Sequence, residues 1–108
     1  MKLKAAVLVF ILGIFARGAS ADGAANVVTI KDFSFTPQEI TVNRGETVRW
    51  VNNENRQYHS VWFEALGEEE SDYLFPDDSY ERVFSEAGSF PYRCGPHEQM
   101  TGVVHVTE

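Results

Sequence analysis

In the stretch CGPHEQM, Cys94, His97 and Met100 follow one another at intervals of three residues, and Cys94 is the only cysteine in a chain of 108 residues. A thiolate, an imidazole and a thioether are ligands of graded softness. Together they select copper over calcium, magnesium or manganese, which prefer oxygen. A trigonal site with a weak axial thioether also needs a second imidazole, and two more histidines are present, His59 and His105. In GVVHV, Val104 and Val106 share one face of an alternating strand, which turns His105 outward with Val103. His59 stands where the polar run NNENRQ gives way to SVWF, near a strand end, where a side chain can be held rigidly beside a loop. His59 is therefore the candidate second imidazole.

The elements that must position these groups read as strands. Apolar and polar residues alternate with period two over 26–30, 39–42, 46–52, 58–63, 80–84, 89–93 and 102–106, rich in valine, threonine and aromatics. Turn signals separate them, among them Asn43-Arg44-Gly45, Asn52-Asn53-Glu54-Asn55 and Pro76-Asp77-Asp78. Neither face of such strands can be buried alone, so the expected fold is all-β: a Greek-key β-sandwich of about seven to eight strands in two packed antiparallel sheets. Phe33, Phe35, Trp50, Phe84, Phe90 and Tyr92 are expected in its core or on its strand faces. Residues 64–78, EALGEEESDYLFPDD, lack the alternation and carry seven carboxylates; they read as a short helix or irregular loop, either a solvated connection or an acidic docking face.

The chain opens on the basic MKLK, continues through the apolar AAVLVFILGIFA and reaches Ala19-Ser20-Ala21, the pattern of an export signal over 1–21. The apolar run is shorter than the roughly 20 residues a bilayer span requires. Residues 22–108 then form one small domain. It carries six basic residues against all sixteen acidic ones, a net charge of −10 with histidine neutral, which excludes nucleic acid and anionic lipid and favours encounter with a basic protein. One cysteine forms no internal disulfide, so a metal is the expected staple, and in an oxidising compartment Cys94 must be buried or serve as a ligand.

The same residues carry a resemblance. FSFTPQEITVNRGETVRWVNN, His59, and AGSFPYRCGPHEQMTGVVHV resemble the first half, the first histidine ligand, and the closing strand, ligand loop and final strand of the cupredoxins, or small blue copper proteins, of the amicyanin and plastocyanin branch. C-x-x-H-x-x-M is similar to the short ligand loop of amicyanin. The chain has Tyr58 and Ser60 where the family commonly has proline and asparagine around that histidine, and Glu98 where proline often follows the loop histidine. The resemblance implies one type 1 copper ion with His59, Cys94 and His97 equatorial and Met100 axial. It implies a backbone N–H, at Ser60, donating to the Cys94 sulfur, and an acceptor for the other nitrogen of His59, for which Asn52 and Asn53 are candidates. It further implies a monomeric periplasmic carrier cycling Cu(II)/Cu(I) between redox proteins such as a c-type cytochrome, an oxidase or a dehydrogenase.

Rival chemistries fit less well. Catalytic Cys–His pairs usually meet from distant chain positions, and no oxyanion-forming helix start is evident, so an enzyme is not expected. A hydrolytic zinc site leaves one position for water, which Met100 argues against. Copper handling for resistance or delivery would use the same ligands; a buried, mixed site favours retention of the ion and therefore an electron carrier.

Overall fold

Val28 and Ile30, then Val48, Trp50 and Asn52, then Val104 and Val106 are buried while the residues between them are not, the signature of strands covered on one face. In the computed structural model, which describes residues 26–108, these segments pair into seven strands. They are β1 (Val27–Lys31), β2 (Ser34–Thr36), β3 (Glu39–Asn43), β4 (Thr47–Asn52), β5 (Ser79–Val83), β6 (Gly88–Arg93) and β7 (Thr101–Thr107). The export signal expected over 1–21 lies outside the described residues.

Four strands form one sheet in the order β2-β1-β4-β5 and three form the other in the order β3-β7-β6. The expected β-sandwich is present, but its sheets are not purely antiparallel. β1 pairs with β4 in parallel, Val28 beside Trp50, and β3 pairs with β7 in parallel, Ile40 beside Val104. The cause is the path of the chain. After β2 it crosses to the other sheet as β3 and returns as β4 beside β1, which is the long crossover a parallel pair needs.

Between the sheets Trp50, Phe63, Phe84 and Tyr92 are buried and meet mostly edge to face, with Trp50–Tyr92 centroids 5.4 Å apart and Phe63–Phe84 5.9 Å. Burial of each such ring stabilises the fold by about 1.5–3 kcal/mol. Phe35 also lies in this core and Phe90 packs against it. Phe33 does not: it is 45% exposed.

The strand expected over 58–63 is not a regular one. His59 bridges Leu74 and Trp62 bridges Arg93, but between them the ladder is broken. The Ser60 N–H is given to the Cys94 sulfur and the Val61 N–H to Ser71 Oγ, so neither is free to pair with a neighbouring strand. Conversely, β2 escapes the alternation reading because it is three residues long and follows a turn in which Asp32 and Phe33 both take positive φ, 54° and 56°, without glycine.

Residues 64–78 begin with a single 3-10 turn, Glu64–Leu66, ended by Gly67 at φ 76°, and then run as a strap over one side of the sandwich. Four of the seven carboxylates have partners within the chain. Glu64 pairs with Arg93 at 2.7 Å, Glu68 with Arg82, Glu70 with the Ser60 hydroxyl at 2.7 Å, and Asp78 with the Phe75 N–H at 2.9 Å. Arg82 also lies over the Phe63 and Phe84 rings at 4.7 and 4.4 Å. The strap is thus neither a merely solvated connection nor wholly an acidic face.

Candidate metal centre

The antiparallel pair β6·β7 ends at Arg93 opposite Thr101, and the residues between form one tight loop. The Cys94 N–H donates to Met100 O at 2.9 Å and the Met100 N–H to His97 O at 3.0 Å, so both ends and the middle of the loop are tied by backbone. Arg93 Nη1 adds bonds to the carbonyls of Cys94 and Gly95 at 2.9 and 3.1 Å. The spacing of three and three in the sequence becomes one turn with all three side chains anchored to it. Cys94 and Met100 are buried beneath the loop and His97 is half-buried at its tip.

His59 is delivered from the other side. It is buried, and its backbone exchanges two hydrogen bonds with Leu74, at 3.1 and 2.7 Å. Its Nε2 lies 2.9 Å from Glu54 Oε2. The acceptor expected at Asn52 or Asn53 is therefore Glu54, and Asn52 stands one step behind it. The buried Asn52 accepts the Glu54 N–H at 2.8 Å and donates to the carbonyls of Gln57 and Leu74 at 2.9 and 2.8 Å, closing the loop that carries Glu54 onto the strap that carries Leu74. Burial alone would raise the Glu54 carboxyl. Hydrogen bonds from the Phe33 N–H, His59 and the Asp32 backbone outweigh it and hold the group below the ordinary carboxylate range. An ionised carboxylate only accepts, so the His59 proton sits on Nε2 and Nδ1 presents its lone pair.

That lone pair meets two others. His59 Nδ1 lies 3.1 Å from His97 Nδ1 and 3.6 Å from Cys94 Sγ, and His97 Nδ1 lies 3.4 Å from the same sulfur. The point equidistant from the three atoms is about 2 Å from each, close to the bond lengths of roughly 2.0–2.3 Å at which imidazole and thiolate hold a late transition metal. Three electron-rich atoms at this spacing repel unless a proton or a cation lies among them. Burial, reinforced by His59, pushes His97 below the usual histidine range, which disfavours a proton there. Burial raises the Cys94 thiol, while the N–H groups of Ser60 and His97 pull the other way, so a cation must displace a thiol proton. The Ser60 N–H lies 3.4 Å from the sulfur, the donor that the family resemblance implies.

The structure brings His59, Cys94 and His97 into one triangle, and Met100, at the end of the same loop, is buried and lines a cleft with Phe33, Phe35 and Gln99. His105 is elsewhere, on β7, bonded to Glu39 at 2.8 Å and Ser89 at 3.0 Å as a surface residue. Phe33 was not legible as a site residue. Its ring meets His59 and His97 edge-on, at centroid distances of 5.2 and 4.8 Å, and covers part of both imidazoles. Only the positive φ at Asp32 and Phe33, which reverses the chain toward the site, puts it there, and no turn dipeptide announces that conformation.

The sequence profile of the Cupredoxin-like domain matches residues 4–106. Amicyanin of Paracoccus versutus is 39% identical over 94 residues, spanning 82% of this chain and 70% of the relative. Plastocyanin of Scenedesmus fuscus is 39% identical over 75 residues, 59% of this chain and 74% of the relative. Among solved structures, that of amicyanin from Paracoccus versutus superposes with a TM-score of 0.71 at 36% identity, covering 82% of this chain and 84% of the other. The Cu(I) form of an amicyanin variant gives a TM-score of 0.67 at 34% identity, over 74% and 79%.

Proposed function

The chain belongs to the cupredoxin-like family, and from that premise we propose that it is an exported, periplasmic type 1 copper protein that carries single electrons between redox proteins and is not itself an enzyme. The observation that carries this reading is the triangle of His59 Nδ1, His97 Nδ1 and Cys94 Sγ, with Met100 buried at the end of the same loop. Two imidazoles, one thiolate and a weak thioether are the donor set of blue-copper electron-transfer sites.

In this reading His59, Cys94 and His97 would hold the ion, with Met100 as the weaker fourth donor. Copper, when bound, supplies the one-electron Cu(II)/Cu(I) couple. The protein's own contribution is to keep the donors still. His59 is fixed from behind by Glu54 and by Leu74, Cys94 by the Ser60 N–H, and the His97 loop by its two backbone bonds. A site held this firmly presents nearly one geometry to both oxidation states, so little rearrangement opposes transfer. The half-buried His97 is the side chain of the triangle that reaches toward solvent, and it is the exit for the electron.

The test is a visible and paramagnetic resonance spectrum of residues 22–108 loaded with Cu(II). Strong visible absorption, abolished in Cys94→Ser, is expected; a faintly tinted complex would rule out this ligation. Rapid electron exchange with a c-type cytochrome, combined with slow loss of copper to a chelator, separates carriage from copper delivery. Rapid loss with slow exchange would favour delivery.

A further inference from the structure

We propose that Glu70 is a positioning residue for the metal-binding loop, acting through Ser60 to fix the backbone that follows Cys94. Ser60 is fully buried and lies between three groups. Its hydroxyl donates to Glu70 Oε2 at 2.7 Å, its Oγ accepts the Gly95 N–H at 2.8 Å, and its own N–H donates to Cys94 Sγ at 3.4 Å. One residue thus joins the strand segment that carries His59 to the loop that carries Cys94 and His97.

The polarity of this link has one solution. A hydroxyl has a single proton, an ionised carboxylate can only accept, and a backbone N–H can only donate. Glu70 accepts the hydrogen bond of the Ser60 hydroxyl, which turns the lone pairs of Oγ toward Gly95. Without Glu70 the hydroxyl is free to rotate and the Gly95 N–H loses a fixed acceptor. Gly95 reports the same packing independently. A Cβ at that position would collide with Glu70 Oε2 and lie 2.9 Å from Ser60 Oγ, so the residue after the cysteine has room only for hydrogen while Glu70 holds its place.

The charge of Glu70 has a second effect. The carboxylate is held one residue away from the sulfur, Glu70 Oε2 lying 2.7 Å from Ser60 Oγ while the Ser60 N–H lies 3.4 Å from Cys94 Sγ, and a negative potential there favours the more positive oxidation state of an ion held by that sulfur. Glu70 therefore lowers the reduction potential as well as ordering the loop. This role rests on reading Cys94 as a metal ligand, whereas the loop ordering is measurable with no metal present, so failure of one is told apart from failure of the other.

Amide hydrogen exchange at Gly95 in the metal-free protein is the primary measurement. Glu70→Ala is expected to speed it about tenfold, the loss of one well-made hydrogen bond, while Glu70→Gln, which keeps an acceptor oxygen, restores it to near the native rate. Gly95→Ala should lower the melting temperature of the native protein and lower it less in the Glu70→Ala background. In the copper-loaded protein both Glu70 variants should have raised midpoint potentials, which a purely structural role would not produce in Glu70→Gln. Should Glu70→Ala fail to fold, Glu70→Asp, which is too short to reach Ser60, gives the same exchange readout. Native exchange rates at Gly95 in the variant that breaks the bond would overturn the proposal.

Discussion

Glu54 Oε2 stands 2.9 Å from His59 Nε2 and accepts the Phe33 N–H at the same distance, so one oxygen fixes both the imidazole and the aromatic ring that covers it. The Glu54 side chain is only 8% exposed, which keeps water from competing for either bond. Replacing it frees the His59 ring to turn and to move its proton to Nδ1, where a metal must bind. Glu54→Ala is expected to weaken copper binding by about 10–100-fold, the usual effect of losing the group behind a histidine ligand. Glu54→Gln, which still accepts, should lose less. Competition against a chelator of known affinity measures both, and native affinity in Glu54→Ala would show that His59 is oriented by something else.

Much of this site was legible in the sequence, but by type of residue more than by contact. The four ligand candidates and the Ser60 N–H come from spacing, softness and resemblance, and the triangle forms where they place it. Glu54 was missed because a carboxylate in a polar turn looks like solvated surface; what buries it is a backbone N–H from β2's turn, 21 residues earlier. The strap illustrates the same limit. A run of like charges suggests a face turned to solvent, yet Glu68 and Glu64 pair with Arg82 and Arg93, which are distant in sequence. Residues 58–63 alternate as a strand should, but the Cys94 sulfur takes one of the N–H groups on which a ladder would depend.

Asn52 ties two loops together with all of its side-chain bonds made inside the protein. Asn52→Ala removes the acceptor of the Glu54 N–H and the donor to Gln57 and Leu74, three hydrogen bonds in a buried place. At about 1 kcal/mol each, the metal-free protein should lose about 3 kcal/mol. Urea unfolding of the metal-free protein measures this directly, and a loss below about 1 kcal/mol would mean that water fills the gap with equivalent bonds.

Because Glu64, Glu68 and Glu70 have partners within the chain, any steering of a basic partner by the strap is expected from its other carboxylates. Glu69, Asp72 and Asp77 are exposed, and the last two flank Tyr73 and Phe75, which with Tyr58 form a solvent-facing aromatic group next to His59. Asp72→Asn combined with Asp77→Asn should slow electron transfer to a basic cytochrome several-fold at low ionic strength and hardly at all near about 0.5 M salt. Glu68→Gln should do the reverse, leaving the salt dependence intact and costing no more than about 1 kcal/mol of stability through Arg82, since the pair is partly exposed. Equal slowing by both changes at both salt concentrations would assign the strap a structural role alone.

Tyr92 gives the fold a limit on its alkaline side. Its hydroxyl is buried against Trp50 and pushed up to about 12, chiefly by burial; the indole edge softens the rise, although neither Trp50 Nε1 nor Tyr92 Oη has a partner in hydrogen-bond geometry. The folded chain therefore holds the phenol proton more tightly than the unfolded chain does. The stability this represents is fully present below the ordinary tyrosine value and is lost as pH rises through the folded one. A difference of two units corresponds to about 3 kcal/mol over that interval. Tyr80, also raised by burial, adds a smaller contribution in the same direction. Tyr92→Phe should thus be neutral or slightly stabilising near pH 7, where it removes a buried hydroxyl without a partner. It should also flatten most of the fall in unfolding free energy between about pH 10 and 12. Urea unfolding across that range decides the matter, because a Tyr92→Phe protein that weakens as steeply as the native one would place the alkaline limit elsewhere.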